Sequence, residues 1–258
     1  MREALRAELD CAGATAWQAG RATLAHYQTG IAATLKDDDS QVTAADHAAE
    51  EIARRLIESR FPTDAILGEE AGETRPDAPR RWILDPIDGT RTFVRGVPLY
   101  GVLIALEVEA QAVLGVMHFP ALNETVYAAR GLGCWWDGRP ARVAPTRRLA
   151  DALVLTTDVE NIERTGHRDG WDRLRARAGT CRTWGDCYGY ALVATGRAEA
   201  MLDPIVSLWD TAALDPIITE AGGTFTDWDG AAGHDVGSAV ATNAALSDEI
   251  RSVLRGDE

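Results

Sequence analysis

Residues 82–90 read WILDPIDGT, and the rest of the chain is best read outward from them. Trp82, Ile83 and Leu84 form a short apolar, strand-like run that ends in Asp85. Pro86 stiffens the turn that follows, so that Asp85 and Asp88 can point to one place. Gly89 and Thr90 then lead into RTFVRG, which reads as a helix start. Two carboxylates held close together repel unless a cation sits between them. Hard oxygen ligands without Cys or His favour Mg²⁺. The free N–H groups of Gly89 and Thr90 at a helix start offer an anion site. A metal beside an anion cradle reads as phosphate chemistry. The bland alternative is a capped turn, because Asp-Pro and Asp-Gly are common turn dipeptides.

Two further acidic segments point the same way. ILGEE at 66–70 puts Glu69 and Glu70 just after a short strand, and LWDTAALDP at 208–216 puts Asp210 at a helix N-terminus. Each has a plain reading of its own: solvated glutamates, and a helix N-cap. Upstream, Thr43 and Asp46 stand three apart in a capping-box pattern, with Ile52, Ala53, Leu56 and Ile57 following on one helical face. Residues 2–28 predict a long amphipathic helix, followed by an acidic turn, KDDDSQ, at 36–41.

Strand-like runs follow at 65–67, 82–84, 102–108, 112–119 and 125–129, and Asp137-Gly138 suits a hairpin turn. Beyond about residue 145 the pattern alternates. Strands are predicted at 152–157, 199–202, 223–226 and 238–242, and helices at 187–195, 211–221 and 246–255. Pro216 falls inside the 211–221 helix and predicts a kink there. The fold class is therefore α/β overall. An α+β half at 1–145 carries most of the acidic site, and an α/β half at 146–258 carries Asp210.

Composition narrows the function. The 258 residues carry a net charge of −14, which repels nucleic-acid backbones and anionic lipid surfaces. No nucleic-acid or membrane partner is expected. The N-terminus lacks the apolar core of a secretory signal, and the longest apolar run, 99–106, is too short to span a bilayer. The four cysteines form no C-x-x-C pair and read as reduced thiols of a cytoplasmic protein. Lys36 is the lone lysine among 26 basic residues, either a surface survivor or a site that needs a compact ammonium. The five histidines are scattered and lack metal-ligand spacing.

Taken in order, E-E at 69–70, D-P-I-D-G-T at 85–90 and W-D at 209–210 with E-A-G-G at 220–223 closely resemble the inositol monophosphatase superfamily. The resemblance spans about 36–223. It implies a layered αβαβα sandwich and a lithium-sensitive, Mg²⁺-dependent phosphomonoesterase acting on a small-molecule phosphomonoester. It implies a homodimer or dimer-based oligomer, and two or three Mg²⁺ per site. Glu69, Asp85, the Ile87 carbonyl, Asp88 and Asp210 would be the metal ligands. Thr90, with Asp46 and Glu69, would position and deprotonate the attacking water. Asp88, Gly89 and Thr90 would cradle the phosphate. Lys36 matches a lysine of the family's N-terminal metal-site loop. A haloacid-dehalogenase mechanism needs D-x-D, whereas this chain has D-x-x-D at 85–88.

Substrate choice is read from residues 183–210. Asp186 and Asp203, with Trp184 and Tyr188 flanking Asp186, occupy positions that line the leaving-group pocket in the family. Carboxylates and aromatics suit a cationic leaving group. G-D-C-Y-G-Y at 185–190 resembles the histidinol-phosphate phosphatase branch, which implies L-histidinol phosphate as substrate. Asp186 as a helix N-cap is the plain alternative. The alternative functions are an inositol-1-monophosphatase, a sugar or nucleotide phosphatase that uses the Arg-rich stretch 164–182, and a non-catalytic partner of the transcription machinery; the plain reading of 164–182 is a solvated helix face.

Overall fold

A computed structural model describes residues 2–36 and 41–257. Of the predicted acidic turn at 36–41, residues 37–40 lie outside the described residues. The first half runs α1 (Arg2–Leu24), β1 (Thr34–Leu35), β2 (Gln41–Val42), α2 (Ala44–Arg60), β3 (Ala65–Gly68), β4 (Gly72–Thr74), β5 (Arg80–Asp88), α3 (Thr90–Val94), β6 (Gly101–Val108), β7 (Gln111–Phe119), β8 (Glu124–Ala129), β9 (Gly133–Trp136) and β10 (Arg139–Ala141). The second runs β11 (Leu153–Leu155), α4 (Val159–Arg164), α5 (Arg168–Arg177), β12 (Thr180–Arg182), α6 (Asp186–Ala194), β13 (Ala200–Asp203), α7 (Leu208–Thr211), α8 (Leu214–Glu220), β14 (Gly223–Thr226), β15 (Ala239–Asn243) and α9 (Ser247–Arg255).

Eight strands make the first sheet, in the order β10-β9-β8-β7-β6-β5-β3-β4. All its pairings are antiparallel except β3 with β5. A five-stranded mixed sheet, β12-β11-β13-β15-β14, forms the second. The strands of the first sheet are apolar on both faces because both faces are covered. Trp82, Leu84, Val102 and Ile104 pack with α1 and α2, while Ile83, Leu103 and Ala105 join α6, α8 and the second sheet. On the far side of the second sheet, Val154, Ala200 and Leu202 meet Trp171 and Leu174 of α5 and Ile250 of α9. The layers are thus α, β, α, β, α, as expected from the sequence.

Local chemistry explains the punctuation. Thr43 caps α2 with its side chain, and Asp46 closes the reciprocal bond of the capping box. Asp137 and Gly138 both take positive φ, 46° and 76°, the two-residue turn that matches strand twist. The predicted 211–221 helix is divided. The chain breaks at Ala212 and Ala213, where the Ala213 carbonyl packs so closely over Gly115 of β7 that a Cβ there would lie 2.1 Å away. Pro216 falls in the first turn of α8, and its missing N–H leaves the Ala212 carbonyl, four residues back, without its helical donor, so the expected disturbance of the helix takes the form of this break. All four cysteines are free thiols.

Candidate active site

The period-2 alternation of β5 puts Asp85 on the same face as Ile83, towards the central layer. Register with β6 holds as far as Asp85–Leu103, then slips before Asp88 pairs with Gly101. The bulge accommodates Pro86, which has no N–H for the ladder, and aims Asp88 back at Asp85. One oxygen from each of Asp85, Asp88 and Asp210 lies within 4.8 Å of the others. Burial first, then the neighbouring Glu69, Asp88, Asp210 and Asp46 charges, push the Asp85 carboxyl well above the ordinary range. Asp88 is raised in the same way, by burial and then by Asp186 and Asp210. The Asp85 Oδ1 accepts the Ile87 N–H at 3.0 Å, and Asp88 accepts the N–H of Cys187 at the start of α6.

Asp46 and Thr90 meet across the site. The Thr90 hydroxyl stands 3.3 Å from Asp46 Oδ1 and 3.0 Å from the Ile87 carbonyl, and it donates to one at a time. Asp46 is fully buried, its other oxygen taking the Thr43 N–H and hydroxyl at 2.8 and 2.6 Å. Burial raises its pKa. Glu69, just past β3, is raised too, by burial first. Lys36 Nζ bridges Glu69 and Glu70 at 2.8 and 2.7 Å, so the lone lysine sits at the site's edge.

The second half supplies Asp210 from α7. Asp210 is the third residue of that turn and not its N-cap. Its Oδ2 accepts the Ser207 N–H at 2.7 Å, and Ser207 is the cap. Burial pushes Asp210 up to about 7. Asp186 opens α6 without capping it. Its backbone is left-handed, φ 52°, a conformation that aspartate tolerates better than most residues. Its side chain accepts the Thr92 hydroxyl at 2.9 Å and presses on Gly89, where an added Cβ would lie 2.7 Å from Asp186 Oδ2. Gly89 is itself left-handed, φ 85°.

The other three expected substrate contacts are placed differently. Asp203 reaches the cavity wall, but its oxygens already take the Thr157 N–H, the Thr157 hydroxyl and the Tyr190 hydroxyl at 2.9, 3.1 and 2.9 Å. Burial lifts its pKa to about 6. Trp184 is 45% exposed and does not line the cavity. Tyr188 points away from it, edge-on to Phe119 and beside Glu124 and Arg197. An α-helix turns about 100° per residue, so neighbours of Asp186 in sequence need not share its face.

The cavity measures about 460 Å³, of a size for a small ligand. Its walls include Glu69, Asp85, Asp88, Thr90, Asp186 and Asp210. Sequence reading missed Thr157, Arg91 and Asn161, which also line it. Thr157 gave no signal: its hydroxyl accepts the Asp186 N–H at 2.8 Å while bonding Asp203, and neither partner is near it in sequence. Of the Arg-rich stretch, Arg164 alone lines the cavity. Arg168 and Arg175 pair with Asp172, and Arg173 caps the last carbonyls of α9.

The cluster's chemistry fits a divalent cation. The leading charges acting on the buried Asp85 are all carboxylates, those of Glu69, Asp88, Asp210 and Asp46. An all-oxygen set with that much negative charge is what a hard ion requires.

A family model described as "Inositol monophosphatase family" matches residues 5–255. The chain is 46% identical over 224 residues to a histidinol-phosphatase of Chlorobaculum parvum, covering 86% of each chain. It is 42% identical over 224 residues to that of Mycobacterium tuberculosis, covering 85% of this chain and 86% of the other. It is 34% identical over 228 residues to an inositol-1-monophosphatase of Rhizobium meliloti, covering 86% of this chain and 85% of the other. Among solved structures, the extragenic suppressor protein suhB of Bartonella henselae superposes with a TM-score of 0.90 at 29% identity, covering 98% of this chain and all of that one. These matches run through the strands and helices that wall the acidic cavity, and the chain accordingly belongs to the inositol monophosphatase family and is a phosphatase.

Proposed function

We propose that the protein hydrolyses L-histidinol phosphate to L-histidinol and phosphate, using two or three Mg²⁺ ions. Glu69, Asp85, the Ile87 carbonyl, Asp88 and Asp210 would hold the metals, with Lys36 steadying Glu69 from the edge. When bound, the ions supply the positive charge that polarises the phosphoryl oxygens and acidifies the attacking water. Thr90 orients that water and takes its proton while passing its own to Asp46, whose burial makes it a better base. The Gly89 and Thr90 N–H groups cradle the phosphate beside Asp88. The division of labour follows the halves 1–145 and 146–258: the first holds the phosphate and metals, the second adds Asp210 and selects the leaving group.

The observation that carries the substrate choice is Asp186, whose carboxylate lies directly over Gly89 and lines the cavity. An anionic group there suits an ammonium or imidazolium leaving group better than a polyol. The two histidinol-phosphatases at 46% and 42% identity support the same reading. Phosphate release from L-histidinol phosphate and from inositol monophosphate tests it. A kcat/KM preference of about a hundredfold, some 2.7 kcal/mol, is expected for histidinol phosphate. A preference for inositol phosphate overturns it. Arg164 in the cavity wall favours a second reading, a substrate with an additional anionic group. By the family resemblance we also expect lithium inhibition and a homodimer or dimer-based oligomer, and from the unpaired cysteines a cytoplasmic location. No helix of the described residues is long and apolar enough to cross a membrane.

A further inference from the structure

Away from the cavity, two buried residues join the halves of the molecule. His234 Nε2 lies 2.8 Å from Glu107 Oε2. Glu107 belongs to β6 of the first sheet, and His234 to the connection between β14 and β15 of the second. Arg81, the cross-strand partner of Glu107, donates to the same oxygen at 3.0 Å. Burial alone would raise the Glu107 pKa, but the bonds from Arg81 and His234 hold it below the usual carboxylate range. The ionised carboxylate only accepts, so His234 Nε2 carries the hydrogen.

The connection that His234 anchors is also the seat of α7. The buried Thr211 hydroxyl donates to the His234 backbone carbonyl, and the Val206 N–H donates to the Gly237 carbonyl at 3.1 Å. Val206 stands just before, and Thr211 ends, a helix of four residues that contains Asp210. One turn of helix cannot fix its own position. Asp210 must nevertheless place an oxygen within 4.8 Å of two acids that the first sheet holds.

We propose that the Glu107–His234 pair is a positioning strut. It pins the 227–238 connection to the first sheet and thereby sets how far Asp210 reaches towards Asp85 and Asp88. The inference rests on Asp210 being a metal ligand.

Metal binding to the metal-free protein, measured by calorimetry with Mg²⁺ and Mn²⁺, reads the strut directly. His234→Ala is expected to weaken binding about tenfold, the size seen when a group supporting a metal ligand is lost. Raising Mg²⁺ should recover its turnover. His234→Gln, which returns an N–H at a similar reach, should restore most of the affinity. Glu107→Met, which keeps much of the packing but removes both acceptors, should give the same weakening if His234→Ala fails to fold. Wild-type affinity in both His234→Ala and Glu107→Met overturns the strut. So does lowered turnover at every metal concentration with no shift in affinity, the mark of a purely structural contact. Asp210→Asn serves as the control. If it leaves metal binding intact, the ligand assignment fails and the strut has nothing to position. If it removes binding while the strut variants do not, the strut alone fails.

Discussion

The end of β5 and the run from Trp184 to Asp210 both gather acidic groups into one cavity, yet they treat them in opposite ways. At β5, Asp85 and Asp88 face other carboxylates and each takes a backbone N–H, from Ile87 and Cys187. Much of their capacity to accept remains directed at each other. Across the cavity, Asp203 is as deeply placed, but Thr157 and Tyr190 occupy its oxygens. Asp186 stands between these extremes, with the Thr92 hydroxyl as its side-chain donor. The difference teaches that unspent lone pairs, and not acidity or sequence neighbourhood, separate acids left open to a ligand, as Asp85 and Asp88 are, from one whose oxygens the fold has taken up.

The largest effect should come from the β5 side. Asp88→Asn is expected to lower kcat/KM at least about 10⁴-fold, some 5 kcal/mol, and chelation with EDTA should do the same until Mg²⁺ is returned. Retained turnover with unchanged Mg²⁺ affinity would show that the two sides do not differ as described. Thr90→Ala comes next, with kcat down about 10³-fold and KM nearly constant, the usual worth of a proton-transferring group. A normal kcat removes Thr90 from the chemistry. Asp186→Ala sharpens the comparison from the other side. Histidinol phosphate should lose about 10²-fold in kcat/KM, as for a lost charged contact, and inositol phosphate far less. Equal losses would make Asp186 a structural residue like Asp203.

Asp203→Asn is expected to have the smallest effect. The folded-state pKa of Asp203, about 6, lies above its ordinary 3.8, so ionising it opposes folding. That penalty is absent well below pH 4, grows between about pH 4 and 6, and is complete above it. Asp203→Asn should therefore raise the melting temperature at pH 8 and leave it nearly unchanged near pH 4. A rise in KM without the pH-dependent stabilisation would instead mean that Asp203 touches the substrate.

Much of this was legible because it is local. A strand ending in Asp-Pro, the Thr43–Asp46 box and the Asp137-Gly138 turn are settled by residues within a few positions of one another. The close packing of the α7–α8 junction is not, because the Ala213 carbonyl meets Gly115, about a hundred residues earlier. The Arg-rich run 164–182 reads as a solvated helix face, and α5 lies within it, but what that helix packs on is not legible for a similar reason. Gly170 weakens the helical pattern, yet its bare Cα lets α5 close on the Leu254 carbonyl of α9, where a Cβ would lie 2.5 Å away. Thr157 and His234 act on partners that only the folded chain brings near, so no spacing rule finds them. Asp186 lines the cavity, while Trp184 and Tyr188, its neighbours in sequence, do not.

The contact between Gly89 and Asp186 makes the architecture unequal in how it can be re-engineered. Position 89 is closed twice, by its left-handed backbone and by the carboxylate above it. Position 186 meets no side chain at Gly89 but shares the left-handed backbone, φ 52°, so asparagine and glycine are the residues that fit most readily over the same turn. Single substitutions there alter this wall of the cavity while the Gly89 turn beneath stays as it is.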